Sequence, residues 1–232
     1  MDLATFITTH ETTIRLTCFL GILSLVAFWE LVAPRRELRV SKLLRWSNNL
    51  GLVFLNSFIL RLLFPAAAVG VAVWAQENNW GLFNLIELPT SIALIASLLL
   101  LDLAIYTQHV VFHHVPVLWR LHRVHHVDLD YDVTTGARFH PIEIILSMLI
   151  KFALICVIGV SPLAVILFEV ILNAAAMFNH GNIRLPAMLD RYLRWVLVTP
   201  DMHRVHHSRQ LDETNSNFGF NLPWWDRIFG TY

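Results

Sequence analysis

IEIILSMLIKFALICVIGVSPLAVILFEVILNAAAMF, residues 142–178, is apolar for nearly twice the length of a membrane helix. A helix rising 1.5 Å per residue needs about 20 mostly apolar residues to cross a hydrocarbon core of roughly 30 Å. Gly159, Ser161 and Pro162 lie near the middle of this stretch, so it reads as two helices joined by a tight turn. Working outward, further apolar runs extend over about Leu88 to Phe112, Asn49 to Trp74 and Ile14 to Val32. The expected fold is all-α: a polytopic membrane helical bundle of three spans plus a helical hairpin. Asp2 and Glu11 precede the first run without a basic n-region, so no cleavable signal peptide is expected.

Composition agrees. Hydrophobic residues make up 56% of the 232, and the mean hydropathy is +0.57. Soluble domains hold roughly 45–50% apolar residues even with glycine counted. The formal net charge is zero, which gives no electrostatic case for a nucleic-acid partner. The two cysteines, Cys18 and Cys156, sit inside apolar runs. They provide neither a disulfide framework nor the thiolates of an iron–sulfur cluster.

The basic residues set the expected orientation. Arg35, Arg36, Arg39, Lys42 and Arg45 separate the first two runs, whereas Gln76 to Glu87 has no Lys or Arg. By the positive-inside rule the first connection is cytoplasmic and the second is outside. The run ending at Phe112 then returns inward, and the hairpin brings His180 back to the same side. Arg61 and Lys151 read as snorkelling or bundle-interior charges.

Eleven of the twelve histidines fall between His109 and His207. His109 and His113 are four apart in QHVVFHH. His122, His125 and His126 form H-x-x-H-H in LHRVHH, and His203, His206 and His207 repeat it in MHRVHH. On a helix, positions i, i+3 and i+4 share a face, so such imidazoles are placed to chelate one ion or span two. With His180 these make nine candidate ligands, too many for one ion and comfortable for two. Asp102, Tyr106, His109 and His113 form one helical stripe, and Glu169, Asn173 and His180 form another. Polar stripes within spans face the bundle interior. Asp102, Tyr106, Glu169 and Asn173 are therefore expected behind the ligands, fixing imidazole tautomers.

His140, in RFHPIE, is balanced between metal ligand and helix-start residue. His114 lies off the stripe, and His10 is remote. Asp128, Asp130 and Asp132 read as solvated loop acids. Imidazole suits iron, zinc, copper or nickel, so spacing alone does not name the metal. A non-catalytic membrane haem- or metal-binding electron-transfer protein is the competing class. It needs only two or four mid-span histidines and leaves most of these unexplained.

The series D-x-x-x-Y-x-x-H-x-x-x-H (Asp102 to His113), LWRLHRVHH (Leu118 to His126) and RFHP (Arg138 to Pro141) resembles the fatty acid hydroxylase superfamily, also called the sterol desaturase family. NHGNI (Asn179 to Ile183), TPDMHRVHH (Thr199 to His207) and NLPWWDRIFGTY continue the match. The resemblance covers roughly residues 95–232 and divides the chain into N-terminal transmembrane helices (1–90) and a hydroxylase-like domain (91–232). Some members carry another histidine at the position of Ala176.

The resemblance implies a membrane-bound, O2-dependent enzyme with two iron ions, zinc being the alternative metal in purified protein. By position it carries ligand roles onto the nine histidines and onto the family histidine matching His140. It implies hydroxylation or desaturation of a fatty acyl, sterol or carotenoid substrate drawn from the bilayer. Nothing in the sequence resembles a reductase domain, so a separate electron donor of ferredoxin or cytochrome b5 type with its reductase is expected, and the orientation above places the histidines on a cytoplasmic helical cap.

Overall fold

A computed structural model describes residues 3–128 and 130–232. Asp2, one of the acids ahead of the first apolar run, lies outside the described residues. The described chain is helical, and an isolated bridge joins Pro34 and Ile183. The helices are α1 (Leu3–Thr9), α2 (Glu11–Val32), α3 (Lys42–Leu63), α4 (Ala67–Glu77), α5 (Leu82–Leu85), α6 (Thr90–His114) and α7 (Pro116–His126). They continue with α8 (Pro141–Ile158), α9 (Pro162–Asn179), α10 (Ala187–Leu193), α11 (Pro200–His206), α12 (Leu211–Thr214) and α13 (Trp224–Phe229).

Among the described residues, five candidate spans are long and apolar enough to cross a membrane: Glu11–Val32, Lys42–Leu85, Thr90–His114, Pro141–Ile158 and Pro162–Asn179. Their outer faces are apolar, with Phe28, Phe54 and Leu62 each about two-thirds or more exposed. Such a surface suits lipid as solvent.

The long apolar stretch divides where its turn residues stand. Gly159 ends α8 at φ +77°, a left-handed conformation that glycine adopts without a Cβ penalty. Ser161 then caps α9, its hydroxyl accepting from the Ala164 N–H, and Pro162 occupies the first turn. The run expected as one span over Asn49 to Trp74 is instead broken. α3 stops at Leu63 and a new helix, α4, begins at Ala67. Pro65 stands in the gap, lacking an N–H and clashing with the preceding turn. Ala68, Val69 and Ala72 of α4 pack against Ile155, Val160 and Val165 at the far end of the hairpin.

A second core lies near the histidines, where Val26, Val133, Met177 and Ile183 are buried together. Charged groups tie the connection after α7 to the N-terminal helices. Arg45 donates to Asp128 (2.7 and 2.9 Å) and to Asp132. The Asp130 carboxylate accepts from the backbone N–H of Arg39 and Val40, and Glu30 accepts from those of Val133 and Asn182. Asp130 and Asp132 are thus buried and Asp128 is paired, correcting the expectation of solvated loop acids. Burial alone would raise the Asp128 carboxyl. Arg45, Thr135 and Asn49 outweigh it and bring it down to about 2. Truncating one partner of such a buried pair costs about 3–5 kcal/mol, because the other charge is left uncompensated.

Candidate metal centre

Four segments bring nine histidines together. His109 and His113 stand one turn apart at the end of α6. Val115 leaves the helical region, and Pro116 restarts the chain as α7, which carries His122, His125 and His126. His180 is the residue just after α9. Thr199 caps α11, which presents His203 and His206 with His207 next in the chain. The rings sort into two groups, His109, His113, His122, His126 and His206 in one and His125, His180, His203 and His207 in the other. Within each group the ligand atoms lie within 4.8 Å of one another.

The outward nitrogens identify the tautomers. Nδ1–H donates from His109 to the Phe218 carbonyl (2.8 Å), from His206 to the Ser216 carbonyl (2.8 Å) and from His180 to the Ala176 carbonyl (2.7 Å). It donates from His122 to Glu143 Oε1 (2.6 Å) and from His113 to Asn215 Oδ1 (3.3 Å). Each of these rings therefore turns an Nε2 lone pair inward.

His109 Nε2 and His122 Nε2 are 3.1 Å apart with both ring protons already on Nδ1. Two lone pairs facing each other at that distance repel unless a cation lies between their axes. The pairs His113–His126, His125–His180, His180–His203 and His180–His207 have Nε2 separations of 3.1–3.2 Å. Imidazole nitrogens bound at about 2.0–2.1 Å sit about 2.8–3.4 Å apart along the edge of an octahedral or tetrahedral site. His206 Nε2 is buried without a hydrogen-bond partner, as an open ligand atom would be. The residues fit a pair of metal ions.

Electrostatics point the same way. Burial pushes His122 and His180 down to about 3. Burial first, and neighbouring rings second, hold His125, His126, His203, His206 and His207 well below the ordinary imidazole range. Neutral imidazole is the form that binds metal.

His140 stands outside both groups: its Nδ1 accepts from the Ile142 N–H (3.1 Å) at the start of α8. In the structure His140 thus occupies the helix-start position of the two that the sequence allowed. His114 is exposed and donates to the Val110 carbonyl of its own helix, and exposed His10 stacks on Phe6. None of the four residues expected behind the ligands bonds a histidine in the structure. Asp102 accepts from Trp225 Nε1 (2.8 Å) and Tyr106 pairs with Thr231 (2.9 Å). Glu169 binds Lys151 and Arg15, and Asn173 donates to the Glu169 carbonyl. Asp102 lies seven residues before His109, about 10 Å along the helix, and Glu169 about 16 Å before His180. They share a face with the ligands but not a height.

Glu143 holds the position behind a ligand, and the acceptors at Asn215, Ser216 and Phe218 come from a segment after α12. A carboxylate two residues into an apolar span was the available signal for Glu143. Backbone carbonyls carry no such signal. Gly136 is needed for close approach, since a Cβ there would sit 2.5 Å from the Ala176 oxygen and 3.0 Å from His180 Nδ1. Glu143→Gln is expected to fold and to lower metal affinity about 10–100-fold, as measured by titrating metal-free protein.

A cavity of about 400 Å³ runs from His109 and His122 between α2, α3, α6, α8 and α9. A second opening, lined by His126 and His207 with Arg36, Arg204 and Arg209, reaches both histidine groups from another direction.

Together these features define a helical protein with five candidate membrane spans and two converging histidine groups, each able to hold a metal ion. The fatty acid hydroxylase family model matches residues 94–231, and the chain belongs to that family. It is 31% identical over 191 residues to alkylglycerol monooxygenase of Xenopus tropicalis, covering 79% of this chain and 41% of the relative. It is 32% identical over 171 residues to the ornithine lipid hydroxylase OlsE of Rhizobium tropici, covering 73% and 50%. With human lathosterol oxidase the identity is 26% over 157 residues, covering 67% and 48%. The chain thus spans half or less of the length of these curated relatives. No solved structure matches it.

Proposed function

We propose that the chain is an O2-dependent dinuclear iron oxidoreductase that hydroxylates or desaturates a lipid. The observation that carries this reading is the facing lone pairs of His109 and His122, which open onto a cavity among the candidate spans. The nine convergent histidines are the proposed ligands, five for one ion and four for the other. Iron held there supplies O2 activation and oxidation of an unactivated C–H bond. Family membership and relatives named as a monooxygenase, a hydroxylase and an oxidase support that chemistry.

The chain's own residues bind and orient. Glu143, Asn215 and the carbonyls of Ala176, Ser216 and Phe218 fix five rings with their lone pairs inward. Phe112 and Phe139 line the histidine end of the cavity, where apolar rings keep water from the reacting carbon. The basic connection from Arg35 to Arg45 supports a cytoplasmic site. The opening at His126 and His207 then serves a separate electron donor of ferredoxin or cytochrome b5 type. The haem-carrier alternative fits poorly, because histidine nitrogens 3.1 Å apart leave no room for a porphyrin between them.

The test uses the full chain, iron-loaded in nanodiscs of a total lipid extract, with a chemical reductant and 18O2. The expected result is reductant-dependent O2 uptake with either an oxygen-18-labelled lipid alcohol or a new lipid double bond. Folded, iron-loaded protein that consumes no O2 beyond a His206→Ala control across fatty acyl, sterol and glycerol-ether lipids overturns the proposal.

A further inference from the structure

The cavity that begins at His109 and His122 extends to a cluster of charges within the bundle. Arg15 of α2, Lys151 of α8 and Glu169 of α9 all line it. Glu169 is buried and uses both oxygens, Oε1 for the Lys151 ammonium and Oε2 for the Arg15 guanidinium. Each of its oxygens thus already faces a cation. The two cations have donors to spare: an ammonium carries three and a guanidinium five. Lys151 spends one on Glu169, and Arg15 reaches Glu169 and, at 3.4 Å, the partly exposed Glu11. Glu11 does not line the cavity. At this end of the cavity wall the two cations share Glu169, while the other lining carboxylate, Glu143, stands at the histidine end beside His122.

Ionisable groups within a bundle are costly to bury and mark binding sites. A tie between helices needs one cation for one carboxylate. The spare donors of both cations on the cavity wall are what a tie does not explain. The cluster lies about 16 Å from His180 along α9. Between it and the histidines the wall is apolar, with Ile105, Met148 and Leu172.

We infer that the cavity takes an amphiphile by an anionic group, a carboxylate or a phosphate, held at Arg15 and Lys151. Its apolar chain runs back toward His109 and His122. The carbon presented to the histidines then lies far down the chain from the anion. This assignment rests on the lipid-oxidising reading of the site, but the binding itself can be measured without turnover.

The experiment compares four twelve-carbon probes on the full chain in a neutral maltoside detergent, by thermal shift and by titration. These are dodecanoate, dodecyl phosphate, dodecanol and dodecyltrimethylammonium, with inorganic phosphate alone as a fifth arm. Both anionic probes are expected to raise the melting temperature and to bind about tenfold or more tightly than the alcohol or the cation. Inorganic phosphate alone should give no rise. Lys151→Met should abolish the preference while leaving dodecanol binding unchanged, and Lys151→Arg should keep it. His125→Ala should also keep it, so a failure of the metal reading leaves this result intact. Equal binding of anion and alcohol by the unaltered protein overturns the inference, whether or not Lys151→Met folds. So does a rise from inorganic phosphate alone, or an anion preference that survives in both Lys151→Met and Arg15→Met.

Discussion

His125→Ala is expected to leave the protein folded with one metal ion where the unaltered chain should hold two, and His206→Ala is expected to do the same at the other position. The two residues belong to different histidine groups, so each substitution addresses a separate ion. Both rings are buried, and the imidazole-to-methyl change leaves a space that water can enter. One ligand in four or five is lost from its site. Losing an outer partner alone costs about 10–100-fold in affinity, so losing a ligand should cost more. Iron analysis of purified protein reads the stoichiometry, and lipid oxidation should fall to background in either variant because the chemistry needs both ions. Folded variants with metal content equal to the parent would falsify the assignment of nine histidines to two ions.

The second large effect is on acid stability. Outside the spans, seven of the convergent imidazoles have their protonation suppressed by burial, His122 and His180 to about 3. In the unfolded chain they would take up protons near pH 6.5. Below that pH the unfolded state binds more protons than the folded one, so stability is lost as pH falls and is fully present above it. Each such group contributes up to about a tenfold change in the folding constant per pH unit. Metal-free protein should therefore show a steep drop in melting temperature between about pH 6.5 and pH 5.5. Metal-loaded protein should hold its melting temperature to lower pH, since bound metal competes with protons for the same lone pairs. A flat profile for the metal-free form would show that the rings are hydrated rather than packed.

Much of this was legible beforehand, for definite reasons. The hairpin turn announced itself because Gly159, Ser161 and Pro162 each do a task apolar residues cannot. Eight of the nine histidines were legible because three clusters keep helical spacing, and His180 because it continues the stripe of Glu169 and Asn173. What spacing does not encode is height along the axis. Asp102 and Glu169 share the right face, yet they meet Trp225 and Lys151 instead of imidazoles. The Asp128–Asp132 alternation looked like solvated loop because its partner, Arg45, stands 83 residues before Asp128. The break at Pro65 was hidden inside an apolar run whose composition continues unchanged on both sides.

The carbonyls of Ser216 and Phe218 and the amide of Asn215 hold three of the five rings of one histidine group. Asp226 holds that segment in turn, accepting from the N–H of Phe218 and Gly219. All of these residues follow every histidine in the chain. These three rings are therefore free to turn until residues 215–226 dock, so a metal ion at the proposed site would meet their aimed lone pairs only after that docking.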